Sequence, residues 1–83
     1  MPPVPLTNFS PGQRVTVHTM PAQPDLSLRL RELGMVEGSN YEITLKKETM
    51  TALRIGNAVY ALNKNITNQI MVEQYKALSA TVI

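Results

Sequence analysis

The sequence predicts a single small β-barrel domain built from five short strands and one short helix. Alternating, β-branched segments recur at intervals of roughly ten residues, a spacing typical of small barrels and sandwiches. One segment between the first two strands has helical periodicity instead, and Gly or Pro residues mark several of the turns. A chain of 83 residues has room for one core. We therefore expect one domain over residues 1–83, with residues 1–5 flexible and residues 76–83 an uncertain tail.

The first strand is predicted at Arg14–Thr19, directly after a turn. Ser10–Gln13 reads Ser-Pro-Gly-Gln, in which Pro fixes the first central residue and Gly12 supplies the positive φ of a type II turn. The residues that follow alternate and are rich in β-branched side chains, so Val15 and Val17 are expected to point inward.

A short helix is predicted at Leu26–Leu33. Pro21 and Pro24 indicate a loop before it, and Asp25 is the expected N-cap. Leucines spaced four and three residues apart form one apolar stripe, namely Leu26, Leu30 and Leu33, which Leu28 would widen.

The end of this helix has the pattern of a Schellman motif. Gly34 is the expected left-handed residue, and Met35 would then pack back on Leu30. Arg29 and Arg31 lie toward the same end, where the helix dipole favours cations.

Four more strands follow. A turn at Val36–Ser39 with Gly38 at positive φ leads into Tyr41–Lys46, with Tyr41, Ile43 and Leu45 expected on one face. Leu53–Tyr60 reads as a hairpin with a Gly-Asn turn, which pairs Ile55 with Ala58 and Leu53 with Tyr60. Ile70–Glu73 is the last predicted strand, after a turn or single helical turn at Asn65–Asn68.

Composition excludes several classes of function. The chain has no cysteine, so no disulfide framework or thiolate-rich zinc site is encoded, and a reducing compartment, by default the cytoplasm, is favoured. The net charge is only +2 and the basic residues are scattered, so no nucleic-acid partner is expected. No apolar run is long enough to span a bilayer, and we expect no direct membrane insertion.

No residue set predicts catalysis or a bound cofactor. His18 is the only histidine and is expected on the outward face of the first strand, where it lacks a nucleophile and an orienting carboxylate. The carboxylates do not form a recognisable pair or cation-binding spacing. We therefore expect no enzyme, no cofactor and no metal site.

The order of these segments resembles the FeoA family. The resemblance spans Leu6–Glu73 and is carried by Leu6–Val17, Arg29–Ser39, Ala61–Asn63 and Ile70–Glu73. Its most specific part is Arg-Leu-x-x-Leu-Gly-Met-x-x-Gly at residues 29–38, followed by an alternating strand. Two departures stand out: Glu37 occupies a position where the family often has Pro, and Lys46–Thr51 lacks the usual glycine and proline.

The resemblance implies an SH3-like barrel with a helix inserted after the first strand. It also implies a non-enzymatic, cytoplasmic accessory of FeoB, the membrane ferrous-iron transporter with a G-protein domain. On this hypothesis the chain is a protein-interaction module, and Arg29, Met35 and Glu37 are the predicted partner contacts. Arg29 could equally serve only the helix dipole, and Met35 only the helix cap.

Two other functions stay open. The first is an interaction domain related to the C-terminal barrel of iron-dependent transcriptional repressors, which packs against a DNA-binding domain. No helix-turn-helix precedes the barrel here, so it would act as a separate chain. The second is a small nucleic-acid-binding barrel, which the scattered cations disfavour. The sequence predicts neither the oligomeric state nor an effect of iron or guanine nucleotide.

Overall fold

The structure, a computed structural model, describes residues 2–75. In chain order its elements are β1 (Val4–Pro5), a 3-10 turn (Leu6–Asn8), β2 (Arg14–Thr19), α1 (Pro24–Leu33), β3 (Asn40–Lys46), β4 (Met50–Ile55), β5 (Ala58–Asn63), α2 (Lys64–Thr67) and β6 (Met71–Gln74). The predicted tail at residues 76–83 lies outside the described residues.

One antiparallel sheet contains all of these strands in the order β1-β6-β2-β3-β4-β5. The inward side chains of the strands form a single cluster with Leu30 of α1, so the sheet curves around one core. The fully buried members include Leu6, Val15, Ile43, Ile70 and Val72. The predicted fold class, mostly β with one short helix, is confirmed, although the described sheet has six strands and not five.

The additional strand is β1, which the sequence does not predict. Val4 pairs with Val72 and Pro5 with Met71, so this two-residue strand lies against β6. The next residue, Leu6, is fully buried, and its N–H donates to the carbonyl of Ile70 at 2.9 Å. The flexibility expected for residues 1–5 remains a prediction, but Val4 and Pro5 are part of the sheet.

Helix α1 begins two residues earlier than predicted. Pro24 is its first residue, Gln23 occupies the N-cap position without a side-chain hydrogen bond, and Asp25 lies inside the first turn. The prediction of Asp25 as N-cap is therefore wrong. Pro is well suited to this first position because its missing N–H would have no helical partner there. Asp25 still favours the helix, since a carboxylate near the N-terminus complements the dipole.

Strand β3 departs from simple alternation. Tyr41 and Ile43 are buried as predicted, but Leu45 is 44% exposed. The pairing with β4 shifts between Ile43 and Leu45, which marks a β-bulge or irregularity. Because a bulge inserts an extra residue, it reverses the inward and outward parity beyond it, and the prediction that Leu45 shares a face with Tyr41 and Ile43 is wrong.

The predicted hairpin is confirmed with its register. Ile55 pairs with Ala58 and Leu53 with Tyr60 across β4 and β5. Gly56 has φ +61° and no non-glycine residue in the described chain has a positive φ, which fits Gly as the first central residue of a type II′ turn. Leu53 and Ile55 are buried, so this hairpin contributes directly to the core.

Candidate functional site

The site begins with the way α1 ends. Gly34 has φ +108°, and its N–H donates to the carbonyl of Arg31 at 3.0 Å. The N–H of Met35 reaches back to the carbonyl of Leu30 at 2.9 Å. These two bonds are those of a Schellman motif, as the sequence predicts. The motif directs the Met35 side chain into the core and the next two residues toward solvent.

Met35 is completely buried, with no exposed surface. It therefore cannot be a surface contact, and that part of the predicted partner site is wrong. Its apolar side chain completes the helix cap and fills the core beneath it. The sequence pattern allowed both roles, because a residue after a helix-ending glycine can pack inward or point outward.

The turn after Met35 is held against the sheet. Gly38 has φ +85° and donates its N–H to the carbonyl of Val17 at 2.8 Å, while the N–H of Val17 donates to the carbonyl of Ser39 at 3.0 Å. The Tyr41 hydroxyl accepts from the N–H of Val36 at 2.9 Å and donates to the carbonyl of Gly34 at 2.8 Å. The turn is thus fixed from β2 and from β3.

This framework carries five exposed side chains on the last two turns of α1 and in the turn that follows it. We call them the helix–turn surface, and they are Leu28, Arg29, Arg31, Val36 and Glu37. Leu28 is 56% exposed and Val36 is 39% exposed, although both are apolar. Arg31 follows Leu28 by three residues, so both side chains lie on the same side of the helix.

A single ion pair joins the two parts of this surface. The Arg31 Nη2 atom donates to Oε1 of Glu37 at 2.7 Å, and the two side chains are 46% and 51% exposed. It is the one salt bridge within residues 2–75. Arg29 and Glu37, both predicted as partner contacts, are exposed. Leu28 was not predicted as a contact, because it was expected to lie beside the apolar stripe of the helix and to widen it.

The described residues do not bring His18 and the remaining acidic side chains together into a cluster. His18 is exposed, and its Nδ1 atom lies 2.6 Å from the hydroxyl of the adjacent Thr19. Across residues 2–75, no three His, Cys, Asp or Glu side chains are grouped so that they could hold a metal ion. None of the described helices is long and apolar enough to cross a membrane.

A shallow groove lies on another face of the barrel. It has a volume of about 180 Å³ and is lined by Thr7, Lys46, Lys47, Glu48, Met50, Thr51, Lys64 and Thr67. The fold brings Lys64 to the same groove as the adjacent pair Lys46 and Lys47, from which it is distant in the sequence. Two of its hydroxyl groups, those of Thr7 and Thr67, are hydrogen-bonded to each other with their oxygens 2.8 Å apart.

These features define a small SH3-like barrel that carries an inserted helix, and comparison with solved structures supports that class. The fold matches a structure described as iron uptake regulatory protein (FeoA) with a TM-score of 0.79 and 19% identity, over 88% of this chain and 99% of the other. It also matches a FeoA-like protein from Clostridium acetobutylicum, with a TM-score of 0.78 and 20% identity over 93% and 92% of the two chains.

The FeoA domain family matches residues 4–74. The chain therefore belongs to the FeoA family, as its motifs indicate. No curated protein matches it. A manganese-dependent transcriptional repressor is also similar in fold, with a TM-score of 0.81 and 20% identity; 90% of this chain is covered, but only 42% of the repressor. The family is one of small accessory domains linked to iron uptake and is not a known enzyme family.

Proposed function

We propose that this chain is a non-enzymatic, cytoplasmic interaction module that supports ferrous-iron uptake by binding the cytosolic part of a FeoB-like transporter. Membership of the FeoA family supports the link to iron uptake. The observation that carries the binding role is the helix–turn surface, which combines two exposed apolar side chains with an exposed ion pair on a hydrogen-bonded framework.

The arrangement of this surface suits a protein partner. Interfaces commonly have an apolar centre and a polar rim. Here Leu28 and Val36 supply apolar contact area, while Arg29 and the Arg31–Glu37 ion pair supply charged groups. The turn that carries Val36 is already fixed by Tyr41, so little conformational entropy is lost there when a partner binds.

A module without catalytic groups acts on a transporter only by changing the populations of its conformations. It must bind one state of the cytosolic domain more tightly than another, because equal affinity for two states shifts nothing. A tenfold preference corresponds to about 1.4 kcal/mol. A few apolar contacts of the Leu28 kind are sufficient for a preference of this size.

The test is a binding titration against the purified cytosolic domain of a FeoB-like transporter. We expect Leu28→Asp and Val36→Asp each to raise the Kd at least tenfold, because each buries a charge in the apolar centre. Leu45→Asp is the matched control, since Leu45 is also an exposed apolar residue but lies on β3 outside this surface. Its Kd should equal that of the wild type.

The possible outcomes test the proposed partner and the proposed binding surface separately. If the wild-type chain does not bind the transporter domain in any nucleotide state, the proposed partner is rejected. If the wild type binds but folded Leu28→Asp and Val36→Asp bind equally well, another face makes the contact. Circular dichroism and thermal unfolding of each variant show that the variants are folded.

A second candidate follows from the likeness to the repressor. The barrel would then pack against a separate DNA-binding domain, as a module related to the C-terminal barrel of iron-dependent repressors. The same titration with such a DNA-binding domain in place of the transporter distinguishes the two. Saturable binding to the DNA-binding domain, combined with none to the transporter, would favour this alternative.

A further inference from the structure

The two ends of the sheet differ in how they are protected. At one end, β1 has only two residues, and one of them is Pro5, which has no N–H to offer a further strand. At the other end, β5 has six residues and no proline or charged residue. Natural edge strands are usually shortened, bulged, charged or covered to prevent pairing with another chain. Strand β5 has none of the first three protections.

The register identifies which backbone groups of β5 face outward. Ile55 and Ala58 flank a two-residue turn, so the N–H and C=O of Ala58 point toward β4. Just after the C-terminal end of β5, the N–H of Lys64 donates to the carbonyl of Thr49 at 2.9 Å. This bond requires the same alternation, in which even-numbered residues of β5 bond toward β4. Tyr60 and Leu62 therefore also bond toward β4, and Val59 and Ala61 point their N–H and C=O groups away from it.

These outward groups have no backbone partner among the described residues. The backbone hydrogen bonds outside regular elements do not include Val59 or Ala61. Both residues are exposed, and Val59 retains 49% of its surface despite being a β-branched apolar side chain. The outer edge of β5 thus combines unpaired donors and acceptors with an apolar side chain, which favours strand addition.

We infer that this edge pairs with the same edge of a second copy of the chain, forming an antiparallel β5–β5 homodimer with its two-fold axis at Tyr60. In this register Val59 lies opposite Ala61 of the second copy, and each outward residue donates one hydrogen bond and accepts one. The two apolar residues also meet as cross-strand neighbours, a stabilising arrangement in sheets.

Charge supports a second copy as the occupant. No residue of β5 is charged, so pairing β5 with itself brings no like charges together. In the register centred on Tyr60, Lys64 of one copy lies opposite Gly56 of the other. Arg54 belongs to β4, and the two β4 strands would be three strand spacings apart, about 14 Å, which exceeds a Debye length of about 8 Å.

The test measures self-association of the full chain by analytical ultracentrifugation from about 10 μM to about 1 mM, because a contact this small is expected to be weak. We expect a reversible monomer–dimer equilibrium in the wild type. Val59→Lys should raise the dimer Kd at least tenfold, since it puts two cations at diagonal positions about 7–8 Å apart in the pairing. Leu45→Lys, on an interior strand, is the matched control and should dimerise normally.

Amide hydrogen exchange gives a second measurement that does not depend on a variant. The Val59 and Ala61 amides should exchange rapidly at low concentration and become protected as the dimer forms. The Tyr60 and Leu62 amides should be protected at both concentrations because they bond to β4.

Three results would overturn the inference. The first is a monomer throughout the concentration range, which would mean that the outer edge of β5 does not pair with a second copy and is open to an extended segment of another protein. The second is a dimer whose Kd is the same in Val59→Lys. The third is protection of Val59 and Ala61 that does not change with concentration, since that would place another part of the same chain on the edge.

Discussion

The hydroxyl of Tyr41 in β3 donates a hydrogen bond to the carbonyl oxygen of Gly34 at the end of α1, over 2.8 Å. Tyr41 is 7% exposed and belongs to the core cluster, so its hydroxyl reaches the helix end from the buried side. The residue thereby ties the helix cap to the sheet, and the candidate binding surface depends on it for its shape.

Removal of this hydroxyl should therefore destabilise the protein. Tyr41→Phe leaves the Gly34 carbonyl and the Val36 N–H without their partner, and we expect a loss of about 1–2 kcal/mol in the free energy of unfolding. Urea denaturation measures the change. Tyr60→Phe serves as control, because Tyr60 packs against the same core from β5 and its hydroxyl makes no hydrogen bond within residues 2–75. An equal loss in both variants would mean that the Tyr41 hydroxyl has no special role.

Gly34→Ala should be more harmful than Gly38→Ala. Both glycines have a positive φ, which costs a residue with a Cβ about 1 kcal/mol. A Cβ at Gly34 would in addition lie 3.1 Å from Cγ2 of Ile55, whereas a Cβ at Gly38 would have no atom within 4 Å. We expect the loss of stability at Gly34 to exceed that at Gly38 in thermal unfolding. Equal losses would show that the Ile55 contact relaxes without strain.

The ion pair between Arg31 and Glu37 should contribute little to stability. Both side chains are about half exposed, and solvent screens such pairs strongly. Glu37→Gln is expected to change the free energy of unfolding by less than about 0.5 kcal/mol, with an even smaller difference in 1 M salt. Denaturation at low and high salt checks this. A change above about 1 kcal/mol would indicate a structural role that the exposure does not explain.

The hydrogen bond between Thr7 and Thr67 should help to hold the N-terminal segment on the barrel. Thr67 is fully buried, and its hydroxyl also donates to the carbonyl of Lys64 at 3.3 Å. Thr67→Val keeps the shape but removes both bonds, so a loss of about 1–2 kcal/mol is expected. A double-mutant cycle with Thr7→Val isolates the pair, and a coupling energy near zero would contradict it.

The parts of the fold that sequence reasoning predicted well are those in which two signals agree. In the hairpin, the Gly-Asn turn and the alternation of Leu53 and Ile55 require the same register, and the structure has it. At the end of α1, the leucine spacing and Gly34 both indicate where the helix stops. The fold class followed from these local agreements.

Apart from the N-cap of α1, the errors occur where a residue's role depends on non-local packing. A two-residue strand such as Val4–Pro5 has no periodicity to detect, so only the pairing with β6 reveals it. The exposure of Leu45 results from a register shift against β4. For the candidate site, Arg29 and Glu37 are exposed as expected, but the burial of Met35 and the exposure of Leu28 depend on how α1 rests on the barrel.

The position of β2 between β3 and β6 has a consequence for folding during synthesis. Strands β3, β4 and β5 are consecutive hairpins that can form early, because local contacts close with little loss of chain entropy. The side of β2 that pairs with β6 stays open until residues 71–74 have left the ribosome. A nascent chain halted before that point would expose Val17 along an unfinished edge, a state prone to aggregation.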